Sequence, residues 1–394
     1  MQEVFDAKRF IRSKLSEINS ALGGERILLA CSGGLCSNVM ATLVLKATGE
    51  SKINSLFVDT GFMRENEVER VSEILTRAPL KLDLKVMNAR KQFMKSVEGA
   101  DTATQKGKSF YEVFNGILRN FAAEQKAGVI VMGTAATGRT PEIPKESPGS
   151  KPNPKLTPLV LEPLIDLNRS QVLDVARNLE LPPRLSDTNP FPAPGLLMRI
   201  SGKANDERVK EVKQATNIVE EELQYAKPSQ YFASIIEDRD EGEPKIEKMK
   251  ERISDLLDVG TSQVEVKVPQ SRVAGLENGR DVDQKALAIR VTLLKSRELL
   301  EPDYESLTEL STELKQRYRD FTRFFYSVTE KPKNGRYMAI IRAVETEDFT
   351  NARIAKLDWA KLRSIATRIM NESGKISSVY YDLTPNPLAA IELE

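Results

Sequence analysis

The sequence predicts a doubly wound parallel α/β sheet over residues 1–203 and a smaller α+β domain over 204–394. Three observations carry this. Short apolar runs of strand length alternate with stretches whose apolar residues recur at helical spacing, from Ile27 to Leu179. The first strand runs straight into Ser32-Gly33-Gly34 and a helical pattern, the kind of turn on which such sheets hold phosphate. Beyond about Lys203 the pattern changes to charged helices separated by isolated strands. At 394 residues the chain exceeds one ordinary core, so two or three domains are expected.

Phe5, Phe10, Ile11, Leu15, Ile18 and Leu22 predict a first helix, ended by Gly23-Gly24. Ile27-Leu28-Leu29-Ala30 is the first strand; Val39, Met40, Leu43, Val44 and Leu45 mark the helix after the glycines. Ile53–Asp59 is a second strand ending in a carboxylate, and a helix from about Asn66 carries Val68, Val71, Ile74 and Leu75. Leu82–Val86 reads as a third strand, Phe93, Met94 and Val97 as a helix, and Ser109–Gln125 as a long amphipathic helix. Val129-Ile130-Val131-Met132 is a fourth strand, turning at Gly133-Thr134. Thr140–Pro158, rich in Pro, Gly, Ser and Lys, predicts a mobile loop. Order resumes at Leu161-Glu162-Pro163-Leu164 and a helix from about Ser170 to Leu179. Three prolines in Asn189–Leu196 remove donors and fix φ, which predicts a stiff loop.

The second domain carries a short internal repeat. Asn278-Gly279-Arg280 precedes the strand Ala286–Val291, and Asn334-Gly335-Arg336 precedes Met338–Ala343. Helical segments lie before both, at Ile246–Leu257 and Leu307–Phe325. This reads as a duplicated unit, although Asn-Gly is also a common hairpin turn. The charged run Glu237–Glu243 predicts a solvated linker, and Trp359 predicts core filler in an amphipathic helix.

Composition excludes several classes. Histidine is absent, so no His-ligated metal, His general base or Ser-His-Asp triad can exist. A formal charge of +1 argues against a nucleic-acid footprint, and no apolar run approaches the ~20 residues that span a bilayer. The two cysteines, both at the phosphate turn, make neither a disulfide framework nor a zinc site. With no signal-peptide pattern at the N-terminus, a cytoplasmic protein is expected.

Five segments resemble the ATP-pyrophosphatase and dimerisation portions of GMP synthetase, in that family's order. They are Ser32-Gly33-Gly34, Phe57–Arg64, Asn189–Leu196, Arg342–Asp348 and the last residues, Tyr381–Glu394. The second resembles F-V-D-N-G-L-L-R, the third H-P-F-P-G-P-G-L and the last Y-D-I-T-S-K-P-P-A-T-I-E-W-E. The resemblance implies an adenine-nucleotide alpha-hydrolase-like fold, a homodimer through residues beyond about Lys203, and a glutamine-hydrolysing GMP synthase (ligase) chemistry in purine nucleotide synthesis. ATP with Mg²⁺ would adenylate XMP, releasing pyrophosphate, and ammonia would then displace AMP. With no amidotransferase segment in this sequence, the ammonia is expected from solution or from a separate glutamine amidotransferase subunit.

The resemblance implies an ATP and pyrophosphate site at Ser32, Gly33, Gly34, Leu35, Cys36, Ser37 and Asn38, with Val58, Asp59, Gly133 and Thr134 around adenosine. It implies an acceptor-nucleotide site at Arg280, Arg336, Asn386 and Glu392; no catalytic residue or metal ligand is assigned. The chain departs from the family at its charges. Cys36 replaces the aspartate of S-G-G-x-D-S, Gly138 stands where a second aspartate follows the fourth strand, and Asn386 replaces a lysine. Thiols are poor Mg²⁺ ligands. A catalytically silent relative that keeps the fold, the pocket and the dimer is therefore the alternative reading. Cys36 is either a reactive thiol at a helix N-terminus or a small neutral replacement; Arg280 and Arg336 are either phosphate ligands or surface turn charges.

Overall fold

Five parallel strands form the first sheet. The structure, a computed structural model, describes residues 5–22, 24–49, 53–136, 158–277, 280–347, 351–385 and 392–393, with backbone only at 276–277 and 280–281. The chain divides into two compact units, Met1–Ser96 with Gly107–Ala193, and Val97–Lys106 with Pro194–Glu394.

The first unit contains α1 (Ala7–Leu22), β1 (Ile27–Ala30), α2 (Leu35–Thr48), β2 (Ile53–Asp59), α3 (Glu67–Thr76), β3 (Leu84–Asn88), α4 (Arg90–Ser96) and most of α5 (Ala103–Glu124). It continues with β4 (Val129–Met132), β5 (Leu159–Leu161), α6 (Arg169–Asn178) and α7 (Pro183–Ser186). The sheet order is β3-β2-β1-β4-β5, with Ile27 facing Ile53 on one side and Val129 on the other. Every neighbouring pair is parallel. The winding reverses between β1 and β4, and a sheet wound this way opens a ligand crevice at the carboxyl ends of those two strands.

Burial explains why β1 and α2 anchor this unit. Val39, Met40, Leu43 and Val44 of α2 are fully buried, each such side chain stabilising by roughly 1.5–3 kcal/mol. A helix apolar nearly all round belongs inside. Two elements differ from expectation. α5 begins at Ala103 rather than near Ser109, and Leu159–Leu161 forms a fifth strand beside β4. Three residues are too few to show a period.

The second unit comprises α8 (Asp206–Leu223), β6 (Gln230–Glu237), α9 (Ile246–Leu257), β7 (Val264–Lys267), β8 (Val273–Glu277), β9 (Arg280–Val291) and α10 (Tyr304–Arg317). It ends with β10 (Phe321–Ser327), β11 (Tyr337–Thr346), β12 (Ala352–Ile354), α11 (Trp359–Glu372) and β13 (Ile376–Asp382). Its sheet runs β12-β11-β13-β10-β9-β7, with β6 also on β11 and β8 on β9.

Two βαβ units share one register. Lys285, Ala286, Leu287, Ala288 and Ile289 of β9 face Phe321, Arg323, Phe324, Phe325 and Tyr326 of β10. Tyr337, Met338, Ala339, Ile340 and Ile341 of β11 face Ile376, Ser378, Val379, Tyr380 and Tyr381 of β13, with the irregularity at the same step. Asp303 caps α10 and Asp358 caps α11. The Tyr326 hydroxyl donates to Leu300 and that of Tyr381 to Ala355, each 26 residues back. The units meet where β10 and β13 run antiparallel with Tyr326 opposite Tyr381, so a local two-fold axis passes between the two tyrosines. The helix belonging with each repeated strand follows it, α10 after β9 and α11 after β11, instead of preceding it.

Two further expectations are corrected. The helix expected over Leu307–Phe325 stops at Arg317, and Phe321–Ser327 is a fully buried strand. Its aromatic and β-branched side chains suit a pleated, buried surface. The acidic run Glu237–Glu243 is no freely solvated linker: Asp238 pairs with Lys267, Glu241 with Arg272, and Glu243 with Lys285.

Candidate active site

The turn at the end of β1 is built to present backbone donors. Ser32 N–H donates to Ser37 Oγ at 3.0 Å and Gly34 N–H to Ser32 Oγ at 3.4 Å, which closes the turn on itself. Gly33 has φ +71°, in the left-handed region, where a side chain is strained. The buried Asn38 side chain donates to Gly33 O at 3.3 Å and Leu185 O at 2.9 Å, pinning the turn to α7. Leu35, Cys36 and Ser37 open α2, so their N–H groups have no intrahelical acceptor and lie at its positive end. A Cβ on Gly133 would fall 2.7 Å from both N and Cα of Ser37. The turn after β4 is therefore pressed against the start of α2, with Thr134 buried beside it. The structure thus brings Ser32–Asn38 and Gly133–Thr134 together at the point where the winding reverses.

The charges around this turn are fewer than a metal needs. Burial pushes the Cys36 thiol up, with Arg169 pulling the other way. A thiol in that state is neutral at physiological pH, which removes the reactive-thiol reading. Asp59, at the carboxyl end of β2 beside buried Val58, accepts from Arg90 at 2.7 Å and from Gly61 N–H at 3.0 Å. Among the described residues no group of three or more Cys, Asp or Glu could hold a metal. The donors present fit a phosphate; Cys36 does not fit Mg²⁺, a hard cation that takes oxygen.

Arg169 was missed by sequence reasoning. It is the first residue of α6, donates to Thr188 O at 2.9 Å, and interacts electrostatically with Cys36 and Asp187. Burial lowers its pKa. The available signal was a cation at a helix N-terminus, where the dipole disfavours it.

In the second unit, Glu392 is clamped. Arg199 donates to it through Nε at 2.9 Å and Nη2 at 3.2 Å, and Gln230 donates at 2.9 Å. The Arg199 guanidinium is fully buried and stacks 4.0 Å from the Phe232 ring centre. Arg323 donates to Asp382 at 2.8 Å and to the Glu392 carbonyl, and Arg342 lies 3.3 Å from Asp382. Burial pulls Arg323 down to about 10 despite Asp382. Three buried arginines thus share two carboxylates, an arrangement no local sequence pattern announces. Arg336 is exposed and pairs with Glu207 at 3.2 Å. Asn386 and the Arg280 side chain lie outside the described residues.

Comparison with known proteins places the chain among relatives of one family. The GMP synthase C terminal domain profile matches residues 333–393. A GMP synthase [glutamine-hydrolyzing] subunit of Sulfurisphaera tokodaii, the one designated B, is 31% identical over 398 aligned residues, covering 99% of this chain and 100% of that protein. The protein of the same name from Methanopyrus kandleri is 29% identical over 405, with the same coverage. Among solved structures, the NMN synthetase from Francisella tularensis aligns with a TM-score of 0.37 and 16% identity, over 48% of this chain and 76% of that one. Relatedness to the first of these over 99% of this chain and 100% of that protein makes this chain a member of the same GMP synthase subunit family.

Proposed function

We propose that this chain is the ATP-pyrophosphatase subunit of a two-subunit GMP synthase. In this reading the 2-oxygen of XMP, or of a related acceptor, attacks the α-phosphorus of ATP and pyrophosphate leaves. Ammonia from a separate glutamine amidotransferase subunit then attacks the adenylated carbon and AMP departs. The observation that supports it is the full-length match to proteins named as one lettered subunit of a glutamine-hydrolyzing GMP synthase, joined to the turn at the end of β1. The N–H groups of Leu35, Cys36 and Ser37 would bind the leaving pyrophosphate, with Arg169 adding the one cation this turn holds beside Cys36 among the described residues. Bound Mg²⁺ would neutralise phosphate charge, but the described turn offers it no oxygen set, so no step is derived through it. Glu392, fixed by Arg199 and Gln230, would accept from the acceptor base.

The test is purified chain with ATP, Mg²⁺, XMP and ammonium, following pyrophosphate and GMP. Equal, XMP-dependent release of both supports the reading, and Arg169→Ala should lower both. Calorimetric ATP binding without XMP-dependent pyrophosphate would favour the silent relative instead, a reading the neutral Cys36 supports. A homodimer through the second unit is part of the proposal. Sedimentation showing a monomer at micromolar concentration would count against it, and would leave the axis between Tyr326 and Tyr381 as the pairing of two copies within one chain.

A further inference from the structure

The local two-fold in the second unit relates two places that differ in charge. On the C-terminal side, Arg342 of β11 meets buried Asp382 of β13. The same register sets Arg290 of β9 in the position of Arg342, and Ser327 of β10 in that of Asp382. Ser327 is fully buried and donates to the Thr329 carbonyl, so the first copy lacks the internal carboxylate. The Arg290 side chain is only 14% exposed, and its acidic partner, Glu265 at 3.0 Å, is 66% exposed. Such an open ion pair is screened and weak, while a mostly buried guanidinium calls for an anion. Arg290 Nη2 donates to Glu330 O at 3.0 Å, and its buried Nε has no hydrogen-bond partner among the described residues.

A cavity of about 280 Å³ opens at this place. Its lining includes Arg290, Lys267, Lys333, Ser378 and Tyr380, with Asp238 and Glu265 as the carboxylates. Lys267 reaches Asp238 at 2.9 Å, whereas Lys333 donates to the carbonyls of Met370 and Ser373 and holds no acid there. Three cations therefore face two carboxylates, one of them largely in solvent. The Tyr380 phenol, pushed up to about 12 by burial, feels Asp238, Arg290 and Glu265 together, so these groups converge on one space. Ser378 sits where Arg323 sits in the other copy's frame.

We propose that this cavity is an anion site for a phosphomonoester, with Arg290 as its principal ligand and Lys267 and Ser378 beside it. It stands apart from the adenylation reading, because it rests on the second unit's own symmetry. The size admits a small ligand, at the low end of binding cavities. A phosphate here would take the place that Asp382 fills beside Arg342, and would compete with the exposed Glu265 for Arg290.

Equilibrium dialysis of the full chain with labelled inorganic phosphate, then ribose 5-phosphate and a nucleoside 5′-monophosphate, tests this. Wild type should lose one equivalent of bound phosphate in Arg290→Gln, keeping any equivalent held elsewhere. Ser327→Asp, which supplies the missing internal carboxylate, should weaken binding at least tenfold with Arg290 intact. Tighter binding of either ester than of inorganic phosphate identifies a phosphomonoester; equal or weaker binding overturns that part. Unchanged stoichiometry and affinity in both variants overturns the site. If Arg290→Gln fails to fold, Lys267→Ala, half-exposed and safe to truncate, decides the same question by a fivefold or greater weakening.

Discussion

Tyr304 and Trp359 make matching hydrogen bonds across the axis of the second unit, each to the carbonyl two residues before the other. The Tyr304 hydroxyl donates to Leu357 O at 2.6 Å, and the Trp359 indole N–H donates to Pro302 O at 3.2 Å. Each ring also packs edge-on to the other copy's buried tyrosine, Tyr304 on Tyr381 and Trp359 on Tyr326. The one tryptophan is thus a seam residue as well as helix packing.

Removing either donor should loosen the seam. Tyr304→Phe should cost about 0.5–1.5 kcal/mol, the net worth of one hydrogen bond. Trp359 fluorescence during urea unfolding reads that cost directly, because it reports this unit alone. An unchanged midpoint would show that the matching bonds carry no stability.

Gly133→Ala should damage the turn. Its Cβ would meet backbone atoms of Ser37 at 2.7 Å, which cannot swing aside; overpacking of this kind costs about 1–3 kcal/mol. Thermal unfolding should show that loss together with weaker ATP binding by calorimetry. Gly107→Ala, in α5 with nothing within 4 Å of a new Cβ, should stabilise by roughly 0.5–1 kcal/mol.

Alkaline pH should expose the buried Cys31. Burial pushes its thiol from 9.0 up to about 12. The folded state therefore holds the proton more tightly than the unfolded chain. Its contribution is complete below about pH 9 and is lost as pH rises toward 12, at up to ~1.4 kcal/mol per pH unit. Cys31→Ala should cost about 1 kcal/mol near pH 7 and close that gap between pH 9 and 11. Parallel pH–stability curves for the two proteins would contradict this.

Glu392→Gln should cost about 3 kcal/mol, because the fully buried Arg199 loses its carboxylate. The double variant Arg199→Met with Glu392→Leu should be more stable than either single change, since buried pairs are often replaceable by apolar groups. Denaturant midpoints of wild type, Glu392→Gln, Arg199→Met, Glu392→Leu and the double variant check both statements.

Pyrophosphate release should be slow. With Cys36 half-buried and neutral, the leaving group meets little compensating charge beyond backbone donors and Arg169. Turnover with ATP, Mg²⁺, XMP and ammonium should fall well below the ~10 per second typical of enzymes. Cys36→Asp alone should not restore it. Turnover at a normal rate by the unmodified chain would show that other groups carry the charge.

Local physics made much of the molecule legible before folding. Strand-length apolar runs at Ile27–Ala30, Ile53–Asp59 and Val129–Met132, and the glycines at 33 and 34, follow from burial and backbone freedom, which act over a few neighbours. The parallel, doubly wound class follows from the alternation of such runs with helical stretches, whereas the order β3-β2-β1-β4-β5, and with it the crevice at the β1 and β4 ends, came only with the tertiary structure. What only the tertiary structure decided involves partners far apart in the chain. Glu237–Glu243 reads as solvated until Lys267, Arg272 and Lys285 arrive from other strands. Phe321–Phe325 reads as helix until burial between β9 and β13 makes it a strand. Glu392 reads as a free acceptor of hydrogen bonds until Arg199, from the opposite end of the second unit's sequence, closes on it. Burial turns Cys36 from a candidate nucleophile into a neutral wall, because the environment of a charge is set by whatever packs around it and not by its neighbours in sequence.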